Sequence, residues 1–232
     1  MIPYAREGQD LFTHLEGTAH RISSYLDEGV MCRRLNTLGL ELEPSSLRNL
    51  IRTSALLHDI GKGADAYQAS FKREGIHSAA RRVGFRFHEL PSAIICLRVS
   101  DALNMPEEEG TLAFLVTLQH MCAIRDWLSD TIPEIPFQRW TFRICGGEIN
   151  EFIRRQFGKA VRLDVEKGEV IKEISSINNR IRSQEMRWAK LYTLILAPIA
   201  VADNLDAYEL GKDDLSPGRR WFVEELKSLE EA

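Results

Sequence analysis

Apolar residues recur at intervals of three and four along most of the chain, as in Phe12, Leu15, Ala19, Ile22 and Leu26, then Leu47, Leu50, Ile51, Ser54 and Leu57. Such spacing lines one face of an α-helix and predicts two amphipathic helices. For the second, Ser45 or Ser46 behind Pro44 is the expected N-cap, and Gly61 and Gly63 are expected to end it and let the chain turn away. The same pattern places further helices over Pro91–Leu103, Glu107–His120, Glu148–Phe157, Leu163–Ile181, Glu185–Leu205 and Pro217–Leu229. Period-two alternation is scarce. Irregular stretches fall at about Arg33–Pro44, Gly75–Leu90 and Ser129–Gly147, none with the composition of a linker. The expectation is an all-α fold forming one domain over residues 1–232.

Composition narrows the class. Hydrophobic residues at 44% and charged residues at 28% are ordinary for a globular chain and argue against disorder or a membrane-embedded protein. With 30 basic and 34 acidic side chains the net charge is -4, so a polyanionic partner must be held by a local site. The cysteines, Cys32, Cys96, Cys122 and Cys145, form no C-x-x-C pair, which fits neither a zinc knuckle nor a disulfide framework and suits a reducing compartment. The most apolar run, Leu191–Ala202, is broken by Thr193 and Pro198 and is shorter than the roughly 20 residues of a membrane span. No apolar segment follows a basic start at the N-terminus, so a secretory signal is not expected. A cytoplasmic protein without membrane partners is the expectation.

The residues that bear chemistry are histidines and acids at helix ends. His58-Asp59-Ile60-Gly61-Lys62 closes the apolar Ala55-Leu56-Leu57, at the helix end that carries partial negative charge and welcomes a cation. Imidazole with carboxylate suits divalent transition ions, with Mg tolerated where carboxylates and waters dominate. An H-D pair at a helix end also reads as a cap with a surface salt bridge. His14 borders the apolar stripe of the first helix and could reach the same ion; His20, six residues on, is turned roughly 120° away and should be exposed. Asp203 ends the run Leu194, Ile195, Ile199, Val201 after a proline placed to kink the helix. A carboxylate there is either at the surface or paired with a metal or lysine. His88 and His120 end or precede apolar runs and are candidates for a second site, each being by itself also a plausible core or cap histidine. His77, among polar residues, reads as solvated. Around Phe85 and Phe87 stand Arg73, Arg81, Arg82 and Arg86, a mixture that suits a phosphate backbone with unstacked bases, or equally a solvated rim over a core.

In this order, on an all-α background, His14, His58-Asp59, His88, His120 and Asp203 resemble the HD-domain metal-dependent phosphohydrolases. A narrower likeness is to the HD nuclease of type I CRISPR interference. It is carried by His14-Leu15, by His58-Asp59-Ile60-Gly61-Lys62 with Tyr67-Gln68 and Phe71, by Phe87-His88-Glu89 before Ser92-Ala93, and by Val201-Ala202-Asp203. The likeness implies the HD helical fold and a metal-dependent nuclease that cuts single-stranded DNA, or RNA, with a metal-activated water. It implies one or two divalent ions, Mn, Mg, Ni, Co or Fe, at His14, His58, Asp59 and Asp203, with Asp59 bridging to a second ion at His88 and His120. Asp59 and Lys62 would take part in catalysis, Lys62 facing the scissile phosphate unless it only partners the helix dipole. Arg81, Arg82 and Arg86 would bind the strand. The chain has no G-x-x-x-x-G-K-[ST] phosphate loop, so the likeness implies a standalone nuclease served by a helicase subunit in trans and a target-bound effector complex. Family members often carry two consecutive histidines where this chain reads His120-Met121. A thioether is a poor ligand for a hard ion, so a weak second ion is expected. Two other readings are an HD phosphohydrolase acting on nucleotides or other small phosphoesters, and a degenerate HD scaffold that only binds. The full ligand set argues against the last.

Overall fold

Asp10 accepts a hydrogen bond from the backbone N–H of Thr13 and so caps the first helix, α1 (Leu11–Tyr25), whose buried face carries Leu11, His14, Leu15, Thr18 and Ile22. The computed structural model describes residues 1–6, 8–74, 84–121, 127, 134–210, 221 and 223–225. Within these, the short antiparallel pair β1 (Tyr4–Arg6) and β2 (Gln9–Asp10) precedes α1. Then follow α2 (Glu28–Asn36), α3 (Pro44–Leu57), a 3-10 turn (Ile60–Gly63), α4 (Asp65–Glu74), α5 (Glu89–Ala102) and α6 (Glu107–Gln119). The chain continues through β3 (Arg139–Trp140), α7 (Gly146–Phe157), β4 (Val165–Glu166), α8 (Lys167–Ile181), a second 3-10 turn (Arg182–Gln184) and α9 (Glu185–Leu210). The fold is all-α, as expected from the periodicity.

Helices α5 and α6 lie at the centre. Nearly every residue from Glu89 to Ser100 and from Glu109 to Gln119 is buried, as befits helices surrounded on all sides. They pack along each other across a turn in which Asn104 takes a left-handed conformation (φ 54°). Helix α3 packs on both, α9 on α6, and α1 closes the other side against α9 and α3. No helix among the described residues is long and apolar enough to cross a membrane. Cys32, Cys96 and Cys145 are buried and form no disulfide among the described residues.

Several boundaries differ from the sequence reading. Helix α3 begins at Pro44 with Glu43 before it and has no side-chain cap, so neither Ser45 nor Ser46 is the N-cap. Proline needs none at its own position, because its fixed φ suits the first turn and its missing N–H is one that a helix start leaves unused anyway. Helix α2 occupies the start of the stretch expected to be irregular, and α4 was not expected at all. Each buries too few apolar residues to show a stripe: Cys32 and Leu35 in α2, Tyr67 and Phe71 among the described residues of α4. The helix expected from Leu163 begins only at Lys167, because Val165–Glu166 pairs with Arg139–Trp140. Helix α9 runs through Pro198 without interruption, and the Pro198 carbonyl accepts the Tyr25 hydroxyl at 2.6 Å. Of the helix expected over Pro217–Leu229, only residues 221 and 223–225 are described, and these are helical; His77, Arg81, Arg82 and Cys122 lie outside the described residues.

Candidate metal centre

His58 caps the C-terminal end of α3, and its ring is completely buried. Its Nδ1–H donates to the Ala55 carbonyl three residues back, at 2.8 Å. That bond makes Nδ1 the donor and leaves Nε2 buried with no hydrogen-bond partner. His88 and His120 use the same device, donating from Nδ1 to Phe85 at 2.5 Å and to Thr117 at 2.6 Å. Each side chain thus turns its Nε2 inward. The Nε2 atoms of His88 and His120 stand 3.0 Å apart.

Asp59 leaves the helical path (φ −110°, ψ 4°) and puts its carboxylate between the two groups of rings. Its Oδ1 lies 2.7 Å from His88 Nε2 and 3.2 Å from His120 Nε2. Its Oδ2 faces His14 Nε2 at 3.1 Å and His58 Nε2 at 3.5 Å. Asp203, from α9, completes the second group with Oδ1 3.3 Å from His14 Nε2 and 3.9 Å from His58 Nε2. Ligand atoms of His14, His58, Asp59 and Asp203 therefore lie within 4.8 Å of one another, and so do those of Asp59, His88 and His120. Histidine nitrogen with carboxylate oxygen is a donor set that suits a divalent ion. The buried, unpartnered Nε2 of His58 is the observation that such a site fits.

Lys62 pairs with Asp59 Oδ2 and stands over the Phe85 ring, its Nζ 5.4 Å from the centroid. With Asp203, it forms the more open side of the cluster: their side chains are 17% and 20% exposed, against 5% or less for the other residues of the two sets. Burial raises the Asp59 carboxyl, but Lys62, His58, His88 and His120 outweigh it and hold the group well below the usual range. Burial likewise disfavours a charged His14, yet hydrogen bonds to Asp203, Asp206 and Asp59 raise its pKa to about 10.

Glycines at the 3-10 turn between α3 and α4 serve close approach and do not use glycine's left-handed freedom. Neither has a positive φ, whereas a Cβ at Gly61 would meet the His88 carbonyl at 2.2 Å and one at Gly63 would meet Ile149 Cδ1 at 2.4 Å. The Gly61 N–H donates to Ser92 Oγ at 2.8 Å, which pins the Asp59 turn to the start of α5. Phe87, beside His88, takes a left-handed φ of 68°, a conformation that costs a non-glycine residue about 1–2 kcal/mol. Tyr67 and Gln68 act on the same two segments: Tyr67 donates to the Arg86 carbonyl at 2.5 Å, and Gln68 Nε2 to the Lys62 carbonyl at 2.8 Å. Both hold ligand-bearing loops in place. His20 is exposed, as expected, and so is Arg86. One partner escaped the sequence reading: Asp206, whose Oδ2 lies 2.8 Å from His14 Nδ1. A second carboxylate three residues after Asp203, on the same helix face, is the signal that could have found it.

A model of the Cas3 HD domain matches residues 4–147, more than half of the 232-residue chain. The chain belongs to the Cas3 HD domain family. It is similar to the CRISPR-associated endonuclease Cas3-HD of Saccharolobus solfataricus, 26% identical over 214 residues and covering 88% of both chains. Its fold is similar to that of the CRISPR-associated Cas3 HD domain protein of Methanocaldococcus jannaschii, with a TM-score of 0.61, 16% identity and coverage of 86% of this chain and 99% of that one. His14, His58, Asp59, His88 and His120 fall inside the part matched by the Cas3 HD family, whereas Asp203 and Asp206 come from α9, beyond it.

The first candidate ligand set of this Cas3 HD domain has four members and the second three, one of them shared. His58→Ala should therefore reduce cleavage more than His120→Ala, compared at limiting metal. Equal losses would mean that the second set is as essential as the first.

Proposed function

We propose that this chain is the HD nuclease of CRISPR interference, hydrolysing phosphodiesters of single-stranded DNA, or RNA, in the cytoplasm. The enzyme is a metal-dependent phosphodiesterase. The observation that carries the reading is the pair of inward-facing ligand sets joined by Asp59, on a Cas3 HD fold. A divalent ion bound there would lower the pKa of a coordinated water and neutralise a phosphate oxygen. His14, His58, Asp59 and Asp203 would hold one ion, and Asp59, His88 and His120 a second. Lys62, at the more open side, places a cation where charge builds on the phosphate, and the flanking Phe85 ring gives its ammonium a fixed approach. Substrate enters over Asp203 and Lys62. A helicase subunit acting in trans and a target-bound effector complex are the proposed partners.

A strand needs a surface beyond the ions, and the segment carrying Arg81, Arg82 and Arg86 is the proposed one. Replacing all three with glutamine should weaken single-strand binding and flatten its salt dependence by about 0.7 in the log-log slope for each phosphate no longer neutralised. Hydrolysis of a small chromogenic phosphodiester, which reaches only the ions, should persist. An unchanged slope would remove the segment from the binding surface. A wild-type protein that prefers free nucleotides to oligonucleotides would instead be an HD phosphohydrolase of small phosphoesters.

A further inference from the structure

His14 is the one ligand candidate in the two sets whose outer nitrogen does not rest on a neighbouring backbone carbonyl. Its Nδ1 faces the Asp206 carboxylate at 2.8 Å, while its Nε2 faces Asp203 at 3.3 Å and Asp59 at 3.1 Å. Asp203 and Asp206 are one turn apart on α9 and lie on the same face. The ring is thus gripped at both nitrogens by a single helix that is not its own. Asp206 is in turn built into place. It is 3% exposed, its Oδ2 also accepts from Gln9 Nε2 at 2.7 Å, and its Oδ1 lies 3.7 Å from Arg21 Nε. Its backbone carbonyl accepts from Arg6 Nη2 at 3.2 Å. Facing it on α1 is Gly17, where a Cβ would stand 2.2 Å from Asp206 Oδ1. The glycine leaves the space that the carboxylate fills.

We infer that Asp206 is a positioning residue of the metal centre: through the His14 Nδ1 bond it fixes the ring so that Nε2 faces the ion-binding cluster. The inference rests on the proposed metal centre but not on the identity of the substrate. A carboxylate behind a ligating histidine sets the ring's orientation and its basicity as a donor, and losing one commonly costs tenfold to hundredfold in metal affinity. A residue that only packed α1 against α9 would affect the melting temperature and leave the affinity unchanged.

The test measures Mn2+ binding to the full chain by electron paramagnetic resonance of the free ion, together with single-strand cleavage as a function of Mn2+. Asp206→Asn, which keeps the shape and removes the charge, should weaken Mn2+ binding by roughly tenfold to a hundredfold. The Mn2+ concentration for half-maximal cleavage should rise by the same factor, while the rate at saturating Mn2+ stays near that of the wild type. Gly17→Ala, which keeps all the ligand residues and Asp206 itself but crowds the carboxylate, should shift affinity in the same direction, and it decides alone if Asp206→Asn does not fold. A folded Asp206→Asn protein with wild-type Mn2+ affinity overturns the inference and leaves the metal centre standing. A wild-type chain that binds no Mn2+ overturns both. One that binds Mn2+ but cuts no strand removes the nuclease reading alone.

Discussion

Asp59→Ala is expected to abolish cleavage while leaving a helical protein. The substitution removes the carboxylate shared by the two candidate ligand sets, with Oδ1 facing His88 and His120 and Oδ2 facing His14 and His58. Metal-ion catalysis supplies several kcal/mol of charge stabilisation, and at about 1.36 kcal/mol per factor of ten its loss amounts to about a thousandfold or more. Stability should change far less. The side chain is small and bonds to groups of the site, and Lys62, its strongest electrostatic partner, is 17% exposed and can turn its charge to water. Circular dichroism and a thermal melt beside a gel-based cleavage assay check both halves. A variant that loses its helices would make Asp59 a structural residue. One that cuts at the wild-type rate would remove the centre from the reaction.

Exhaustive chelation is expected to stop cleavage, and Mn2+ or another divalent transition ion to restore it. The fold should survive, because the metal-free cluster is balanced internally: Asp59 pairs with Lys62, and His14 lies among Asp59, Asp203 and Asp206. The raised pKa of His14, about 10, makes the effect depend on pH. In the metal-free protein a histidine raised above its ordinary value of 6.5 contributes stability that is complete below pH 6.5 and is lost as pH rises through about 10. Ion binding at Nε2 must displace that proton, so between those limits affinity rises with pH and binding releases protons. Titrating Mn2+ into weakly buffered protein with an indicator dye measures the release. Cleavage that persists after chelation would refute the metal requirement, and binding without proton release would show that His14 is neutral before the ion arrives.

Much of the site was legible in the sequence because its residues interrupt strong apolar patterns. His58-Asp59 follows a buried helix, His120 ends α6, His88 immediately precedes α5, and Asp203 follows an apolar run, so each declares itself as a polar group where a polar group is costly. Asp206 does not, since it reads as one more acid near the end of a helix until α1 is packed against α9. The function of Gly61 was likewise hidden: glycine after a helix suggests a change of direction, and only the His88 carbonyl 2.2 Å from where its Cβ would be reveals a close contact. Helices α2 and α4 were obscured by their own polarity, and Gln68 on the inner face of α4 breaks the stripe that would have announced it. Lys62 was placed near the chemistry by the motif, but its pairing with Asp59 depends on a turn that no periodicity describes.

His58, His88 and His120 each lean on a carbonyl only three residues back. The aim of those rings is therefore a local property of a short peptide, carried along by whichever helix or loop end bears it. A core substitution that tilts α3, α5 or α6 would translate a ring without spinning it, so the donor atoms would change their separations before they changed their headings. His14 has no such local gimbal. It is the donor whose bearing depends on a distant part of the chain, and errors in how α9 seats against α1 would register there first.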